Sequence, residues 1–235
     1  MKIAWLGQAG YRITTDNGTV IMIDPYMSDS LHEAQGESYV REVPIDEDVL
    51  RGRVDVLIIS HCHADHMDFG TLDTLLAGGA VNVLCPVSVL YPVRNRYWGA
   101  HNYTQFENGI ETIINGVRFS AEYAAHTDDR SIGVNIYADG RVITHTGDTM
   151  YHRCLKDAHP RGADALLLPV NGKGCNMNAV DAARLTKELA PKKVFPMHWD
   201  MFKAYGSDVN EFKALFADGE GPEIIIPEYY KDLEI

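Results

Sequence analysis

The segment that most constrains this chain is the hexapeptide His61–His66, HCHADH, which directly follows the apolar run Val54–Ser60. Successive side chains of a strand point to opposite faces, so these imidazoles and the carboxylate can converge only from a loop at a strand end. Imidazole and carboxylate together suit divalent ions such as Zn²⁺, Mn²⁺ or Fe²⁺. The alternative is a chance His-rich surface loop, which the buried strand before it disfavours. We therefore predict a metal centre of one or two ions.

Three further candidate ligands each follow a strand-like run. They are His126, Asp148 and His198, which follow the runs Val117–Ala124, Val142–Thr146 and Lys193–Met197. Side chains at the carboxyl ends of neighbouring strands meet at one edge of a sheet, where open α/β sheets place their sites. We therefore expect these three residues to join the hexapeptide.

The order of the remaining patterns predicts the fold class. Further strand-like runs are Ile3–Leu6, Tyr11–Thr14, Thr19–Ile23, Val81–Leu84, Ile132–Tyr137 and Ala165–Val170. Helical runs are Asn178–Ala190, with Asn178 as N-cap, Gly70–Leu76 and Val209–Phe216. Asp16-Asn17-Gly18 and Asp139-Gly140 are typical hairpin turns. Early hairpins followed by interposed helices predict an α/β fold of mixed sheets covered by helices, and no linker divides the predicted single domain 1–235.

Composition excludes some functions. Lys+Arg 21 against Asp+Glu 33 gives a net charge of -12, which argues against a nucleic-acid partner. No run approaches the length of ~18 apolar residues that a membrane span needs. The start of the chain predicts a strand rather than a signal peptide, and the four cysteines form no CxxC pair. We therefore expect a cytoplasmic protein, and a homo-oligomer is compatible with the sequence.

The hexapeptide, His126, the motif Gly147-Asp148-Thr149 and His198 together resemble the metallo-β-lactamase-fold hydrolase superfamily. The resemblance implies a four-layer αββα sandwich. The ligands that it implies for one metal are His61, His63 and His126; those for the second metal are Asp65, His66 and His198, with Asp148 bridging both.

The resemblance also implies a hydrolytic mechanism. A metal-bound water loses its proton near neutral pH and becomes the attacking hydroxide, while the metal polarises the attacked group. Asp148 and Asp65 are the predicted catalytic carboxylates, and Asp65 either relays a proton to the leaving oxygen or serves only as a ligand. Asp24 either orients a ligand histidine or forms a turn before Pro25.

A Gly-rich turn, Val170–Asn178, bears on the substrate. It opens onto the helix Asn178–Ala190, whose amino end favours an anion, and Lys173 adds a positive charge; an ordinary capped loop is the alternative. The turn and the stretch His198–Phe202 resemble those of the L-ascorbate-6-phosphate lactonases. That resemblance implies that Asn171 and Lys173 contact a sugar phosphate and that Asp200 shapes the pocket.

The leading hypothesis is therefore a lactonase that acts on a small, anionic, sugar-derived lactone. A phosphodiesterase with the same two metals is the alternative, and a non-catalytic metal-binding or regulatory protein is the third reading. Among weaker features, the polar run Glu33–Glu42 is interpreted as a mobile loop, and a lid is one reading of it. His145 is predicted to pack rather than to bind metal, and Cys62 to point toward the core.

Overall fold

Two mixed β-sheets form the centre of the molecule in the computed structural model, which describes residues 1–99, 101–216, 219 and 221–235. The first sheet contains β1 (Lys2–Gly7), β2 (Gly10–Thr14), β3 (Val20–Ile23), β4 (Val56–Ile58), β5 (Asn82–Cys85), β6 (Asn102–Gln105) and β14 (Leu233–Glu234). The second contains β7 (Glu111–Ile114), β8 (Val117–Tyr123), β9 (Ile132–Ala138), β10 (Arg141–His145), β11 (Ala165–Pro169), β12 (Lys193–Met197) and β13 (Glu223–Ile224). The strand orders are β14-β1-β2-β3-β4-β5-β6 and β13-β12-β11-β10-β9-β8-β7.

Six of the seven α-helices of the described residues cover the outer faces of the sheets, and the first packs instead against Tyr26, Met201 and Phe202. The helices are α1 (Ser30–Gln35), α2 (Glu47–Leu50), α3 (Phe69–Leu75), α4 (Val87–Arg96), α5 (Leu155–Ala158), α6 (Ala179–Leu189) and α7 (Val209–Ala214). The predicted N-cap of α6 is confirmed, because the Asn178 side chain accepts a hydrogen bond from the Asp181 amide at 2.9 Å. The amphipathic pattern of this segment thus marked the helix almost to the residue.

Three layers of apolar contact hold the sheets and helices together. The inner faces of the sheets meet in a core that includes Ile13, Ile58, Phe119, Ile136 and Phe195. A second cluster packs α2, α3 and α4 against the first sheet, and a third packs α5, α6 and α7 against the second. The predicted αββα sandwich of mixed sheets is therefore confirmed.

Parallel pairing explains where a site can form. β4 runs parallel to β3 and β5, and β11 runs parallel to β10 and β12. The carboxyl ends of β4, β10 and β12 lead into the three segments that begin at Ser60, Thr146 and His198. Because parallel strands end at the same edge of a sheet, these segments emerge together.

Several elements differ from the sequence predictions. The polar run Glu33–Glu42 is not an irregular loop, since it carries the end of α1 and a 3₁₀ turn at Glu37–Tyr39. Leu31 anchors α1 against buried aromatic side chains, and the Glu42 amide donates to the Met201 carbonyl at 2.9 Å. The elements α4, β6 and β7 were not predicted, because Pro92 interrupts the helical pattern and the two strands are partly exposed.

No helix within the described part of the chain is long and apolar enough to cross a membrane.

Candidate metal centre

The hexapeptide forms a tight turn at the carboxyl end of β4. The His63 carbonyl accepts hydrogen bonds from the amides of His66 and Met67, at 3.0 and 2.8 Å. Directly afterwards, Asp68 caps α3 by accepting from the amides of Gly70 and Thr71, both at 3.1 Å. The turn is thus fixed between a buried strand and a capped helix, which makes its side chains rigid.

Three histidines of the first predicted set lie together. The Nε2 atom of His61 lies 3.0 Å from Nδ1 of His63, and Nε2 of His126 lies 3.2 Å from the same atom. His61 is buried, and His63 and His126 are half-buried; His63 lines the cavity described below, whereas the side chain of His126 has no exposed surface. Three ring nitrogens at this spacing form a group that can hold one cation.

The second predicted set lies beside the first. The Nε2 atom of His198 lies 3.2 Å from Oδ2 of Asp65, and Nε2 of His66 lies 3.7 Å from the same oxygen. All three residues are buried. They form a second group with the spacing of cation ligands.

Asp148 stands between the two sets, where the resemblance places a bridging ligand. Its Oδ2 atom lies 3.1 Å from Nε2 of His198, 3.4 Å from Nε2 of His66 and 4.0 Å from Nε2 of His126. The preceding Gly147 has φ 64°, and a Cβ there would lie 2.4 Å from the Ile132 carbonyl oxygen. Only glycine therefore allows the turn that aims Asp148 at both sets.

A buried carboxylate orients the ligands from behind. Oδ2 of Asp24 lies 2.8 Å from Nδ1 of His66, and Oδ1 accepts from the Ser60 amide at 2.7 Å. The Ser60 hydroxyl donates to Asp24 and lies 3.0 Å from Nδ1 of His61. Of the two readings of Asp24, the geometry favours the orienting one, since a carboxylate on Nδ1 leaves Nε2 free for a metal.

Sequence reasoning missed three amides that contact the ligands. Gln8 Nε2 donates to Asp65 Oδ2 at 3.0 Å, and Asn176 Nδ2 donates to Asp148 Oδ2 at 2.9 Å. Asn171, predicted to touch substrate, is buried with Nδ2 3.3 Å from Nδ1 of His198. Gln8 follows β1 and lies 57 positions from Asp65, so no local pattern signals this contact. Asn176 lies in the Gly-rich turn, which was the only sequence signal.

The carboxylates govern the protonation of the second set. Burial would lower the pKa of His66 and His198, but Asp148 and Asp65 outweigh it, raising the pKa of His198 to about 9 and that of His66 well above its usual value. Burial would raise the pKa of Asp65 and Asp148, yet the two imidazoliums lower both. In the first set, burial lowers the pKa of His61 and His126. The carboxylates thus supply the negative charge that balances cationic neighbours.

The residues fit a divalent cation. Among the described residues, Nε2 of His66, Nε2 of His198 and Oδ1 of Asp148 are buried and lack a hydrogen-bond partner. Unpaired buried polar atoms are costly, so three of them within one cluster of residues indicate a ligand. A cation there would compete with the protons on His66 and His198, because metal ligation requires neutral imidazole. Imidazole and carboxylate donors do not select among Zn²⁺, Mn²⁺ and Fe²⁺.

A cavity of about 160 Å³ opens above the ligands. It is lined by His63, Asp65, Thr127, Asp148, Gly174, Cys175, His198 and Tyr205. The Tyr205 ring meets His198 edge-on at 5.4 Å, and a Cβ on Gly174 would lie 3.1 Å from that ring. Larger hollows lie beside α7 and near Trp98, but they contain none of the clustered ligands. Of these three hollows, the smaller cavity is the one that the clustered ligands line.

The other predicted substrate residues lie around this cavity rather than in its lining. Lys173 is exposed, and its Nζ atom donates to the Gly206 carbonyl at 2.6 Å. Asp200 is half-buried and accepts from the Tyr229 hydroxyl at 2.9 Å. Substrate contact by Asn171, Lys173 and Asp200 therefore stays a prediction.

Two weaker candidates occupy packed positions. His145 is fully buried, with Nε2 2.8 Å from the Ala9 carbonyl oxygen and Nδ1 accepting from the Gly147 amide. Cys62 packs against the cluster between the first sheet and its helices, where burial raises the pKa of its thiol to about 11. A thiol with a raised pKa is a poor metal ligand. Both residues thus support the turn from within.

Comparison with known proteins agrees with this fold. The profile of a family described as "Beta-lactamase superfamily domain" matches residues 2–198. The chain therefore belongs to the metallo-β-lactamase superfamily. It is a metal-dependent hydrolase of that superfamily, similar over its length to a UPF0173 metal-dependent hydrolase of Pyrococcus furiosus, with 26% identity over 242 residues that span 100% of both chains.

Solved structures share the architecture. Igni18, a metallo hydrolase from Ignicoccus hospitalis, superposes with a TM-score of 0.79 at 21% identity, covering 100% of this chain and 98% of that one. An isothiocyanate hydrolase from Delia radicum gut bacteria superposes with a TM-score of 0.77 at 18% identity, covering 100% and 99%. At such identities the likeness shows the fold.

Proposed function

We propose that this metal-dependent hydrolase is a lactonase that opens a small, sugar-derived, phosphorylated lactone. The observation that carries the proposal is the convergence of two ligand sets on Asp148 at the floor of a small cavity. Two cations that share a carboxylate suit the attack of water on a polarised carbonyl. The open cavity above them favours turnover over mere metal storage.

Each ligand residue has a defined task in this proposal. His61, His63 and His126 would hold one cation, and Asp65, His66 and His198 would hold the other, with Asp148 shared. When bound, the cations supply an acidified water and polarise the substrate carbonyl. Asp65 lines the cavity, and we assign its carboxylate the proton relay: it would accept the proton released by the attacking water and pass it to the ring oxygen as the C–O bond breaks.

The substrate class rests on the Gly-rich turn. Gly174 and Cys175 line the cavity, so this turn borders any bound molecule. Lys173 lies next to them, and an ammonium group has three donors, of which the Gly206 carbonyl uses one. Two remain for a phosphate. Asn171 and Asp200, predicted from the lactonase resemblance, would complete the rim.

A phosphodiesterase is the second candidate, because the shared carboxylate also suits a pair of cations that clamp attacking and leaving oxygens. The fold does not choose between these substrates. A protein of the same fold is named an isothiocyanate hydrolase, which acts on a different bond. Substrate tests must therefore decide.

The test is a paired screen on the full chain reconstituted with Mn²⁺ or Zn²⁺. One arm follows acid release from sugar-phosphate lactones, and the other follows phenolate release from an aryl phosphodiester. Asp148→Ala is the blank, and we expect it to abolish turnover while the circular dichroism spectrum is retained. Lactone opening alone supports the proposal. Phosphodiester cleavage alone replaces the lactonase with the second candidate, and full activity of Asp148→Ala contradicts the shared-ligand role.

A further inference from the structure

Three carboxamide side chains approach the second ligand set and Asp148 from the protein interior. Gln8, Asn171 and Asn176 are 0%, 7% and 7% exposed. Each contacts a different ligand: Asp65, His198 and Asp148, respectively. Each also has its amide oxygen buried without a partner among the described residues. Unpaired buried amide oxygens are costly, so this arrangement needs a physical explanation.

Two of the amides act on carboxylates. Gln8 Nε2 donates to Oδ2 of Asp65, and Asn176 Nδ2 donates to Oδ2 of Asp148. A neutral donor fixes the rotation of a carboxylate and leaves its negative charge in place. A lysine or arginine in the same position would neutralise that charge. The backbone of Gln8 is fixed as well, because its main-chain carbonyl accepts hydrogen bonds from the Trp5 indole at 3.0 Å and from the His198 amide at 3.1 Å.

The third amide acts on an imidazole. For Nε2 of His198 to bind a cation, Nδ1 must carry the proton and needs an acceptor. Asn171 is the side chain beside Nδ1, and its Oδ1 atom lacks a partner. Amide oxygen and nitrogen occupy equivalent positions about the side-chain axis, so a half-turn places Oδ1 against Nδ1–H. That half-turn gives up the 3.3 Å hydrogen bond from Asn171 Nδ2 to the Tyr205 carbonyl, but it gives the buried Oδ1 a partner and leaves Nε2 of His198 unprotonated for a cation.

The first ligand set is oriented by other groups. His61 lies against the Ser60 hydroxyl, His63 lies 3.2 Å from the Thr127 hydroxyl, and His126 Nδ1 donates to the Cys175 carbonyl at 3.2 Å. No amide side chain takes part in these contacts among the described residues. Gln8 and Asn171 contact the second set alone, whereas Asn176 contacts Asp148, which both sets share. Changes to Gln8 and Asn171 should therefore affect one cation more than the other.

We propose that Gln8, Asn171 and Asn176 are positioning residues that control occupancy of the cation site formed by Asp65, His66, His198 and Asp148. The inference rests on the proposed metal centre, but it does not depend on the substrate. The inference predicts that replacing an amide by the corresponding acid has a different effect on cation binding at His198 than at Asp65 or Asp148. An acid beside His198 still accepts from Nδ1–H, whereas an ionised acid beside Asp65 or Asp148 has no N–H to donate, so the hydrogen bond that orients that carboxylate is lost.

The test is calorimetric titration of the chelator-treated full chain with Zn²⁺, together with the zinc retained per chain after gel filtration. Loss of an orienting partner typically costs about 10- to 100-fold in metal affinity. We expect Asn171→Ala and Gln8→Glu each to weaken the second zinc by about that factor, leaving one tightly held ion, and Asn176→Asp to weaken both zinc ions, because Asp148 is shared. Asn171→Asp should bind both ions within about threefold of the unaltered chain, because its carboxylate keeps the acceptor.

The exposed Asn108→Asp is the matched control for added charge and should change neither affinity. Thermal unfolding of each chelator-treated variant checks folding, and Gln8→Glu and Asn176→Asp test the loss of the N–H donor at two separate carboxylates. Equal weakening by Asn171→Asp and Asn171→Ala, or unchanged zinc binding by all variants, overturns the inference. Because no substrate is used, an inactive lactone assay with the expected zinc pattern rejects the proposed substrate and keeps the inference.

Discussion

Asp24 Oδ2 lies 2.8 Å from Nδ1 of His66, and both side chains are completely buried. The same carboxylate accepts hydrogen bonds from the amide and hydroxyl of Ser60. Asp24 therefore couples the end of β4 to a ligand of the second set while touching no cavity surface. An acidic side chain so placed increases the basicity of the imidazole that it holds.

Asp24→Asn should weaken metal binding by about 10- to 100-fold. The substitution removes a negative charge, and the new amide is a poorer acceptor for the Nδ1–H group of His66. Metal content after gel filtration and titration with Zn²⁺ measure the change. Asp129→Asn, at an exposed position, is the control and should bind normally. Unchanged affinity in Asp24→Asn would contradict the orienting role.

Gly147→Ala should destabilise the protein and disturb the centre together. The new Cβ would lie 2.4 Å from the Ile132 carbonyl oxygen at a residue with φ 64°. The clash and the left-handed backbone together should cost about 2–4 kcal/mol of unfolding free energy. Urea unfolding measures this loss. Gly140→Ala shares a positive φ of 70° but meets no atom within 4 Å, so it should cost only about 1 kcal/mol. Equal costs in the two variants would contradict the clash.

A buried histidine outside the metal centre predicts how stability changes with acidity. His159 is fully buried, its Nδ1 lies 3.0 Å from Oδ1 of Asn135, and its Nε2 has no partner among the described residues. Burial, with a smaller contribution from His145, lowers the pKa of His159 from 6.5 to about 4. Protonation would place a buried N–H without an acceptor.

The unfolded chain therefore takes up this proton first as the pH falls. The stabilisation is fully present above pH 6.5 and is lost as the pH falls toward about 4, with a total of about 3 kcal/mol. Urea unfolding with chelator present should show this slope, and His159→Gln should flatten it even if the variant is less stable at pH 7. The exposed His152→Gln should keep it. An unchanged slope in His159→Gln would show that other groups cause the acid sensitivity.

Lys173→Ala should raise KM about tenfold for phosphorylated lactones, since a charge-assisted hydrogen bond contributes about 1.5–3 kcal/mol. Unphosphorylated lactones should lose little. Initial rates on matched substrate pairs measure the difference, with the exposed Lys156→Ala as the control. An equal loss on both substrates would place the role of Lys173 in the Gly206 contact rather than in anion binding.

The ligand set was predictable because histidine and aspartate are common metal ligands and can be recognised by residue type alone. His126, Asp148 and His198 could be added because each follows a strand, and strand ends meet at one edge. That they gather into three overlapping groups is now a geometric finding, whereas the binding of metal is still a proposal.

The orienting amides could not be predicted, because glutamine and asparagine are common polar residues and their role arises from packing across the sheets. The 3₁₀ turn at Glu37–Tyr39 was missed for a similar reason. The Ser38 carbonyl accepts from the amide of Ala204 at 3.0 Å, a contact between distant parts of the chain. Local polarity predicted a loop there, while tertiary contact decided the outcome.

The two sheets contribute opposite halves of the ligand cage: the hexapeptide follows β4 of the first sheet, and His126, Asp148 and His198 follow strands of the second. Apolar faces such as those of Ile58 and Phe119 attract without direction and tolerate small sliding. Coordination bonds require fixed distances and angles, so an ion in this cage would fix the position of one sheet relative to the other. Substitutions in the core between the sheets, far from the cavity, should then distort the geometry of the ligand cage before they unfold the protein.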